Sequence, residues 1–406
     1  MKQAEVTDET IARHDQFMTL HVPRMPITMV EGRGAWLTDS TGKRYLDLFS
    51  GFGAGVLGHC HPELVAAARE QAGKLWHVGN LLHTEPQTLL AEQIAAKGFD
   101  GRSFFCHSGS DANEAAFKLA RLYGGGKRHK IIATLNSFHG RGFAAMMATG
   151  QEKVRKGYGP YVPGFEHVPY NDIAAMQRAI DDQTIAIIVE PIQGEGGINM
   201  PDADYLPKLR QLCDDRDLLL IVDEVWTGCG RTGRWFAYQH ADIEPDMMTL
   251  GKAVGAGLPV GAMCAHRRVA DLFSTSSYGG VPHATTLGGN CIAMAVSTRL
   301  FHVLENERLV ERAAVLGERI MARLRNFSGA AGLIREVRGK GLFIGIHLQP
   351  DGAWFDKAAD VVNRCLEQAL LLGSAQQDIV RLAPPMNVTD DELDQGLSIF
   401  ERVLKD

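Results

Sequence analysis

The stretch Leu218–Pro259 reads LLLIVDEVWTGCGRTGRWFAYQHADIEPDMMTLGKAVGAGLP and decides the fold expected for this chain. It opens with five branched apolar residues and then reaches Asp223 and Glu224. A short apolar run that ends in acids and a glycine-rich loop predicts a fully buried parallel strand. Because open α/β sheets bind ligands at the carboxyl ends of their strands, we expect Asp223 to face a ligand site.

A second candidate for chemistry, Lys252, lies further along the same stretch, between the apolar patch 247–250 and the flexible Gly255-Ala256-Gly257. Burial would lower the pKa of such a lysine toward that of an amine nucleophile. A lysine that forms a Schiff base and a carboxylate that keeps a pyridine nitrogen protonated are the pair that pyridoxal phosphate requires. On these residues alone, a strand-capping aspartate and a solvated lysine stay an alternative.

Composition limits the function classes that need to be considered. The chain has 406 residues, 45% of them hydrophobic, and a net charge of −6, so nothing indicates nucleic acid or an anionic membrane as a partner. No apolar run approaches the roughly 20 residues of a membrane span, and the N-terminus lacks the apolar core of a signal peptide. Seven cysteines without a Cys-x-x-Cys pair predict a cytoplasmic protein with free thiols and no metal site.

Strands and helices alternate along most of the chain, which predicts an α/β fold with a mostly parallel central sheet. Predicted strands cover 131–135, 185–190, 218–224 and 261–265. We predict an N-terminal antiparallel meander in residues 1–58, a large domain at 59–300 and a smaller α/β domain at 301–406. The meander is expected to join the C-terminal residues in the small domain.

A phosphate site is predicted where the strand 103–106 runs into Ser108-Gly109-Ser110-Asp111 and a helical pattern follows. A strand, a turn of small residues and a helix N-terminus offer free backbone N–H groups and a positive dipole end. An ordinary helix N-cap explains the same residues when nothing else accompanies them. The strand that ends at Glu190 adds a second acid to the same sheet edge.

Another glycine loop, Gly228–Gly233, fits the pattern G-x-G-x-x-G of dinucleotide-binding proteins. The two acids before it would repel a pyrophosphate, and the residues after it do not open a helix of small residues. An NAD-dependent oxidoreductase is therefore only a remote alternative.

Longer motifs connect these residues to a known family. They are FFCHSGSDANEAAFKLAR, SFHGR, VEPIQGEGG, IVDEVWTGCGRTGR, EPDMMTLGKAVGAGLPVGAM, TTLGGN, VRGKG and VRLAPP. In this order they resemble the class III (ω-type) aminotransferases of pyridoxal phosphate fold-type I. The resemblance runs from about Gly34 to the C-terminus and is greatest to the acetylornithine/ornithine aminotransferase group. It implies a large domain around a mostly parallel sheet and a smaller domain from both termini.

The resemblance implies that Lys252 is the Schiff-base lysine and proton shuttle, and that Asp223, supported by Glu190, pairs with the pyridine nitrogen. Thr286 would reach the phosphate of a neighbouring subunit, which implies a homodimer with sites at the interface. The full set of implied cofactor contacts is Ser108, Gly109, Ser110, Phe138, His139, Glu190, Asp223, Val225, Trp226, Lys252 and Thr286.

The resemblance also implies two carboxylate-binding arginines, Arg141 and Arg381, with Glu195 covering Arg381. One site must accept a cationic ω-amino donor and then a dicarboxylate, and a glutamate that swings off an arginine suits both. A static surface salt bridge is the alternative. Phe52 would line the donor pocket, where ornithine-specific relatives have a tyrosine.

The implied reaction moves an ω-amino group from an N-acetylornithine-like or ornithine-like donor to 2-oxoglutarate by a ping-pong mechanism. Departures from the family at Phe52, Leu82, His83 and Trp226 leave the donor open. 4-Aminobutyrate, another diamine, a secondary-metabolism amine and pyruvate as acceptor stay as alternatives. A catalytically idle relative that serves as a binding partner is a further alternative, and the presence of Lys252 argues against it.

Overall fold

The computed structural model describes residues 2–327, 332–350 and 353–405. The strands are β1 (Met29–Arg33), β2 (Trp36–Asp39), β3 (Arg44–Asp47), β4 (Gly101–Cys106), β5 (Lys130–Thr134), β6 (Phe165–Val168), β7 (Thr184–Val189), β8 (Leu219–Asp223), β9 (Met247–Leu250), β10 (Gly261–His266), β11 (Ile334–Lys340), β12 (Phe343–Leu348), β13 (Leu370–Leu371), β14 (Gly373–Ala375) and β15 (Ile379–Leu382).

The α-helices alternate with these strands. They are α1 (Lys2–Phe17), α2 (Ser50–Gly53), α3 (Pro62–Ala72), α4 (Glu85–Lys97), α5 (Gly109–Tyr123), α6 (Phe143–Ala148), α7 (Glu152–Arg155), α8 (Ile173–Ala179), α9 (Tyr205–Arg216), α10 (Arg267–Ala270), α11 (Thr275–Tyr278), α12 (Cys291–Asn306), α13 (Leu309–Arg325), α14 (Ala358–Glu367) and α15 (Asp390–Lys405). Within the described ranges, no helix is long and apolar enough to cross a membrane.

Seven of the described strands form the central sheet, in the order β4-β10-β9-β8-β7-β5-β6. Neighbouring strands from β9 to β6 are parallel, and β10 is antiparallel to both of its neighbours. All residues of β7 and β8 are buried, because helices cover both faces of a parallel sheet. The predicted α/β fold with a mostly parallel central sheet is confirmed.

The strand directions place several chain segments at one edge of this sheet. Strands β5, β7, β8 and β9 run the same way, and β4 runs with them because two antiparallel pairings through β10 restore the direction. The residues that follow these strands therefore meet at the carboxyl edge. These are the start of α5, the loop 135–142, the loop 190–197, Asp223–Trp226 and Lys252.

The N-terminal residues form the predicted antiparallel meander β1-β2-β3, and β13 pairs in parallel with β3. Helix α14 ends at Glu367. The chain turns at Ala369, which has φ 62°, and this turn brings Leu370–Leu371 alongside β3. The β3–β13 pairing supports a small domain from both termini, while domain boundaries at 58 and 300 stay a prediction.

Arg231, in the Gly228–Gly233 loop, is fully buried and joins three distant segments. Its guanidinium donates to the carbonyl oxygens of Leu342 (3.4 Å), Pro384 (2.5 Å) and Gly53 (3.4 Å). Burial lowers its pKa to about 10, and no carboxylate among the described residues pairs with it. The loop that resembles a dinucleotide-binding motif is thus a structural connector, and a 3₁₀ helix follows it after Phe236.

Replacing Arg231 by Met keeps an apolar side chain of similar length but removes all its donors. Buried carbonyls left without a donor cost about 1–3 kcal/mol each, and three lose one, so we expect the free energy of unfolding to fall by at least about 3 kcal/mol. Urea unfolding at fixed protein and cofactor concentration measures the change. Arg178→Met on the exposed face of α8 is the control, with a change within about 0.5 kcal/mol. Equal stabilities of the two variants would refute the role of Arg231.

Candidate active site

A cavity of about 420 Å³ lies at the carboxyl edge of the central sheet. This volume is within the range of small-molecule and cofactor sites. The predicted site residues on its lining are Ser108, Gly109, Ser110, Phe138, His139, Arg141, Glu190, Glu195, Asp223, Val225, Trp226 and Lys252. Three predicted residues, Phe52, Thr286 and Arg381, lie outside the lining.

Asp223, the last residue of β8, is buried and held by donors on both carboxylate oxygens. Its Oδ2 lies 2.8 Å from Nδ1 of His139 and accepts from Nδ2 of Asn113 at 2.8 Å, while Oδ1 accepts from the backbone N–H of Val225 at 3.0 Å. Asn113 also accepts from the Thr249 hydroxyl on β9. The carboxylate is therefore fixed in one orientation before any ligand binds.

Asn113 is a site residue that the sequence analysis missed. It lies on the face of α5 that otherwise buries Ala112, Ala115 and Ala116, and it is itself buried. A polar residue on an alanine-rich buried face was the signal that could have found it, because a buried amide needs partners. Gly140 was also missed. It has φ 126°, and a Cβ there would come within 2.4 Å of the Ser110 hydroxyl.

Glu190 follows β7 and holds two loops rather than bonding to Asp223. Its carboxylate accepts from the backbone N–H of Phe138 at 2.9 Å and of Gly194 at 3.1 Å. Burial raises its pKa, and the hydrogen bonds from the two backbone N–H groups oppose that rise. Glu190 thereby fixes the backbone beside Phe138 on one side and the loop that carries Glu195 on the other.

Lys252 begins a 3₁₀ turn directly after β9 and has φ 45°, an uncommon value for a residue with a side chain. Its Nζ lies 3.8 Å from the ring centroid of Trp226. Desolvation lowers its pKa to about 8, although the carboxylates of Glu195 and Asp223 act in the opposite direction. An amine with this pKa exchanges its proton readily near neutral pH.

The residues at the N-terminus of α5 line the cavity, and their backbone N–H groups are the donors there. The Ser108 hydroxyl caps the helix by accepting from the Asp111 N–H, and the Ser110 hydroxyl accepts from the N–H groups of Arg141 and Gly142. Both hydroxyl oxygens are thus already used as acceptors. The first-turn N–H groups of Gly109 and Ser110 have no helical carbonyl to bond and suit an anion.

Close packing requires glycine in this helix turn. A Cβ on Gly109 would lie 2.5 Å from a methyl group of Val225, and one on Gly251 would lie 2.9 Å from the backbone nitrogen of Gly109. The glycines let the end of β8 and the lysine loop approach the helix N-terminus.

The two predicted carboxylate-binding arginines differ in their surroundings. Arg381 on β15 is 3% exposed, and its Nη1 donates to Glu195 Oε1 at 3.0 Å. Arg141 is exposed at the cavity, and no described carboxylate lies within ion-pair distance of it. Phe52 lies over Arg381, with its ring centroid 5.9 Å from the guanidinium carbon. The structure thus places one paired and one unpaired cation near the cavity.

Thr286 is exposed on the surface and does not line the cavity of its own chain. Around it lies an apolar patch of Trp76, Leu81, Leu82 and Leu287, all more than half exposed. Hydrogen bonds from Asn80 to Thr285 and from Asn290 to Trp76 hold the patch together. Contiguous exposed apolar surface of this kind marks interaction sites.

The cavity meets the requirements of pyridoxal phosphate. It combines an amine of lowered pKa, a buried carboxylate with fixed orientation, and a helix N-terminus with free N–H groups. The ring of Phe138 lines the same space. These groups lie on different segments of the chain and converge only through the sheet edge, so a fortuitous N-cap or strand cap does not explain them.

Similar proteins were found by sequence and by structure. Residues 17–404 match the family "Aminotransferase class-III". The chain is 45% identical over 385 residues to an acetylornithine aminotransferase of Gloeobacter violaceus (94% of each chain). It is 42% identical over 387 residues to one of Caldanaerobacter subterraneus (94% of this chain and 96% of the relative).

Among solved structures, the ornithine aminotransferase of Toxoplasma gondii, described with partial occupancy of PLP at its active site, superimposes with a TM-score of 0.92 and 31% identity. The alignment covers 98% of this chain and 94% of that one. The predicted fold type and cofactor agree with these similarities. The chain therefore belongs to the class-III aminotransferase family and is a pyridoxal-phosphate-dependent transaminase.

Proposed function

We propose that this ω-aminotransferase takes the terminal amino group of an N-acylated ornithine, with ornithine second, and passes it to 2-oxoglutarate by a ping-pong mechanism. The observation that carries the proposal is the pairing of buried Arg381 with Glu195 beside an unpaired Arg141. One carboxylate site is thus open and a second is covered, as expected for two substrates of different charge that use one pocket in turn.

When bound, pyridoxal phosphate supplies the carbonyl group that takes up the amine and an electron-withdrawing ring that stabilises the resulting carbanion. Asp223 is positioned by Asn113 and His139 to hold a protonated ring nitrogen. Gly109 and Ser110 offer their N–H groups to a phosphate, and Phe138 offers a ring face. Because these groups are fixed in advance, little reorganisation accompanies the reaction.

Lys252 is the base and acid of the proposed reaction. Its lowered pKa lets the free amine accept a proton from substrate carbon and return it a few ångströms away. The Trp226 ring beneath Nζ limits where the side chain can rest and keeps it inside the cavity. Replacing this residue removes both proton acceptor and donor.

The amino donor is assigned from the charge and polarity of the side chains around the cavity. In the first half-reaction Arg141 holds the donor carboxylate, and Glu195 keeps Arg381 neutralised. The Trp226 indole on the lining, with Phe52 packed 6.5 Å away between ring centroids, is apolar and offers no acceptor to a free α-ammonium group. An acyl group converts that ammonium to a neutral amide. The desolvation free energy of a neutral amide against aromatic rings is smaller than that of an ammonium ion. The similarity to two acetylornithine aminotransferases supports the same choice.

A homodimer with shared sites is part of the proposal. Thr286 lies on the apolar patch and outside the cavity of its own chain, so in the proposed dimer it serves the site of the other copy. The patch supports this arrangement because covering it removes large apolar side chains from water.

The pH dependence of Lys252 is the first test. In protein prepared without cofactor, trinitrobenzene sulfonate reacts only with the neutral amine, so we expect labelling of Lys252 to rise with pH through a midpoint of about 8. Peptide mass spectrometry follows Lys252, and exposed lysines report the reagent's own pH dependence. In Glu195→Gln, loss of the carboxylate charge should lower the midpoint further. A midpoint near the ordinary lysine value of about 10.4 would contradict the assignment.

A donor and acceptor panel tests the reaction itself. We expect the highest kcat/KM with N-acetylornithine and 2-oxoglutarate, then ornithine, with 4-aminobutyrate and pyruvate lower. Lys252→Ala should lose turnover by several orders of magnitude while still binding cofactor, since an essential covalent group is missing. A best donor without a carboxylate, or pyruvate as the better acceptor, would overturn the substrate assignment. Normal turnover by Lys252→Ala would overturn the catalytic one.

Subunit complementation tests the shared site. We expect Thr286→Val alone to bind cofactor more weakly and Lys252→Ala alone to be inactive. A heterodimer of the two variants contains one site with both wild-type residues, so refolding them together should restore up to about half of the activity per mixed dimer. Size-exclusion and tag-capture experiments show whether heterodimers have formed. If they have formed and no activity is restored, Thr286 belongs to the site of its own subunit or to none.

A further inference from the structure

Three aromatic rings surround the guanidinium of Arg381. Its central carbon lies 4.7 Å from the ring centroid of Trp226, 5.3 Å from Phe49 and 5.9 Å from Phe52. All three distances fall within the range of cation–π attraction. Apart from Glu195, the acceptor nearest to this cation is the Gly194 carbonyl at 3.5 Å, and its Nε has no partner among the described residues.

The Trp226 ring is the nearest of the three and is wedged in place. It is 4% exposed and packs at 5.0 Å against the ring of Phe343. Gly53 and Gly194 lie against two further sides of the indole. A Cβ at either position would come within 2.5 Å of it, so only glycine fits there. A side chain confined in this way cannot rotate to follow a ligand, so its face toward Arg381 is a constant part of the site.

The proposed function requires Glu195 to leave Arg381 before a dicarboxylate can bind. Removing one partner of a buried ion pair leaves an uncompensated charge, which is costly in a nearly enclosed site. Water reaches this arginine poorly, since only 3% of it is exposed. Some other group must therefore lower the energy of the open state.

We propose that Trp226, assisted by Phe49, is a positioning residue that stabilises the Arg381 guanidinium while Glu195 is turned away, and thereby sets the affinity for the acceptor's carboxylate. The inference rests on the proposed function, because it concerns the open state used by the 2-oxo diacid. While Glu195 is bound, its carboxylate compensates most of the charge of Arg381. Once Glu195 has turned away, the rings attract the bare cation more strongly and hold it aimed at the incoming carboxylate. Aromatic rings suit this task because they compensate charge without competing for the hydrogen bonds of the guanidinium.

The same indole also contacts Lys252, so activity alone cannot isolate its effect on Arg381. Glutarate is the probe, since it has the two carboxylates of the acceptor but no oxo group to react. Its binding to the holoenzyme is measured by calorimetry. The proteins compared are the parent, Glu195→Gln, Trp226→Leu, Trp226→Phe, the double variant Glu195→Gln/Trp226→Leu, and Phe343→Leu. Phe343→Leu is the packing control, because the Phe343 ring packs against the indole but is not one of the three rings around Arg381.

We expect Glu195→Gln to bind glutarate more tightly than the parent, because no carboxylate competes for Arg381. Trp226→Leu should weaken binding roughly five- to thirtyfold in both backgrounds, the fold-change that corresponds to about 1–2 kcal/mol of cation–π energy. Trp226→Phe keeps a ring and should stay within about threefold of the parent, as should Phe343→Leu. If Trp226→Leu does not fold, Phe49→Leu replaces it, with an expected loss of about two- to fivefold.

Three results would overturn the inference alone: unchanged binding in Trp226→Leu or its substitute, a loss in Trp226→Phe as large as in Trp226→Leu, or an equal loss in Phe343→Leu. A different result identifies failure of the proposed function. If neither the parent nor Glu195→Gln binds glutarate, the dicarboxylate acceptor is wrong and the inference falls with it.

Discussion

The site depends on one constraint, which is that the strands leading into it end at the same edge of the central sheet. Asp223 ends β8, and its β9 partner Thr249 anchors the Asn113 amide that bonds the Asp223 carboxylate. Lys252 follows β9 by two residues, so the lysine and the acid are brought together by strand pairing rather than by loop conformation. Sites built on paired strands keep their geometry more accurately than sites built on loops.

The parts of the site that the sequence predicted are those in which local pattern and chemistry coincide. The apolar run before Asp223 predicted the buried strand that the structure has, and the small residues at Ser108–Ser110 predicted the turn into a helix. The α/β order of elements then required both to lie at the carboxyl edge. Family motifs added residue roles, such as the pairing of Glu195 with Arg381, which the structure places 3.0 Å apart.

What the sequence did not predict depends on contacts between distant segments. Glu190 was expected to support Asp223, and its carboxylate accepts from the backbone N–H groups of Phe138 and Gly194, two segments that are distant from each other in the sequence. The sequence alone does not distinguish Asn113 from an ordinary helix residue, because its role depends on its hydrogen bond to the distant Asp223 carboxylate. The rings around Arg381 come from two segments, Phe49 with Phe52 and Trp226, that are more than 150 residues apart in the chain and also far in sequence from Arg381.

Two buried arginines, Arg231 and Arg381, differ in the groups that accept their hydrogen bonds. Arg231 donates to three backbone carbonyls, which cannot move away, so these contacts are permanent. Arg381 is satisfied mainly by the Glu195 side chain, which is 28% exposed and is carried on a glycine-rich loop. A cation whose partner can leave is available to a ligand, whereas one held by backbone is not. The nature of the acceptor, and not the depth of burial, therefore separates the arginine that we propose to bind a carboxylate from the structural one.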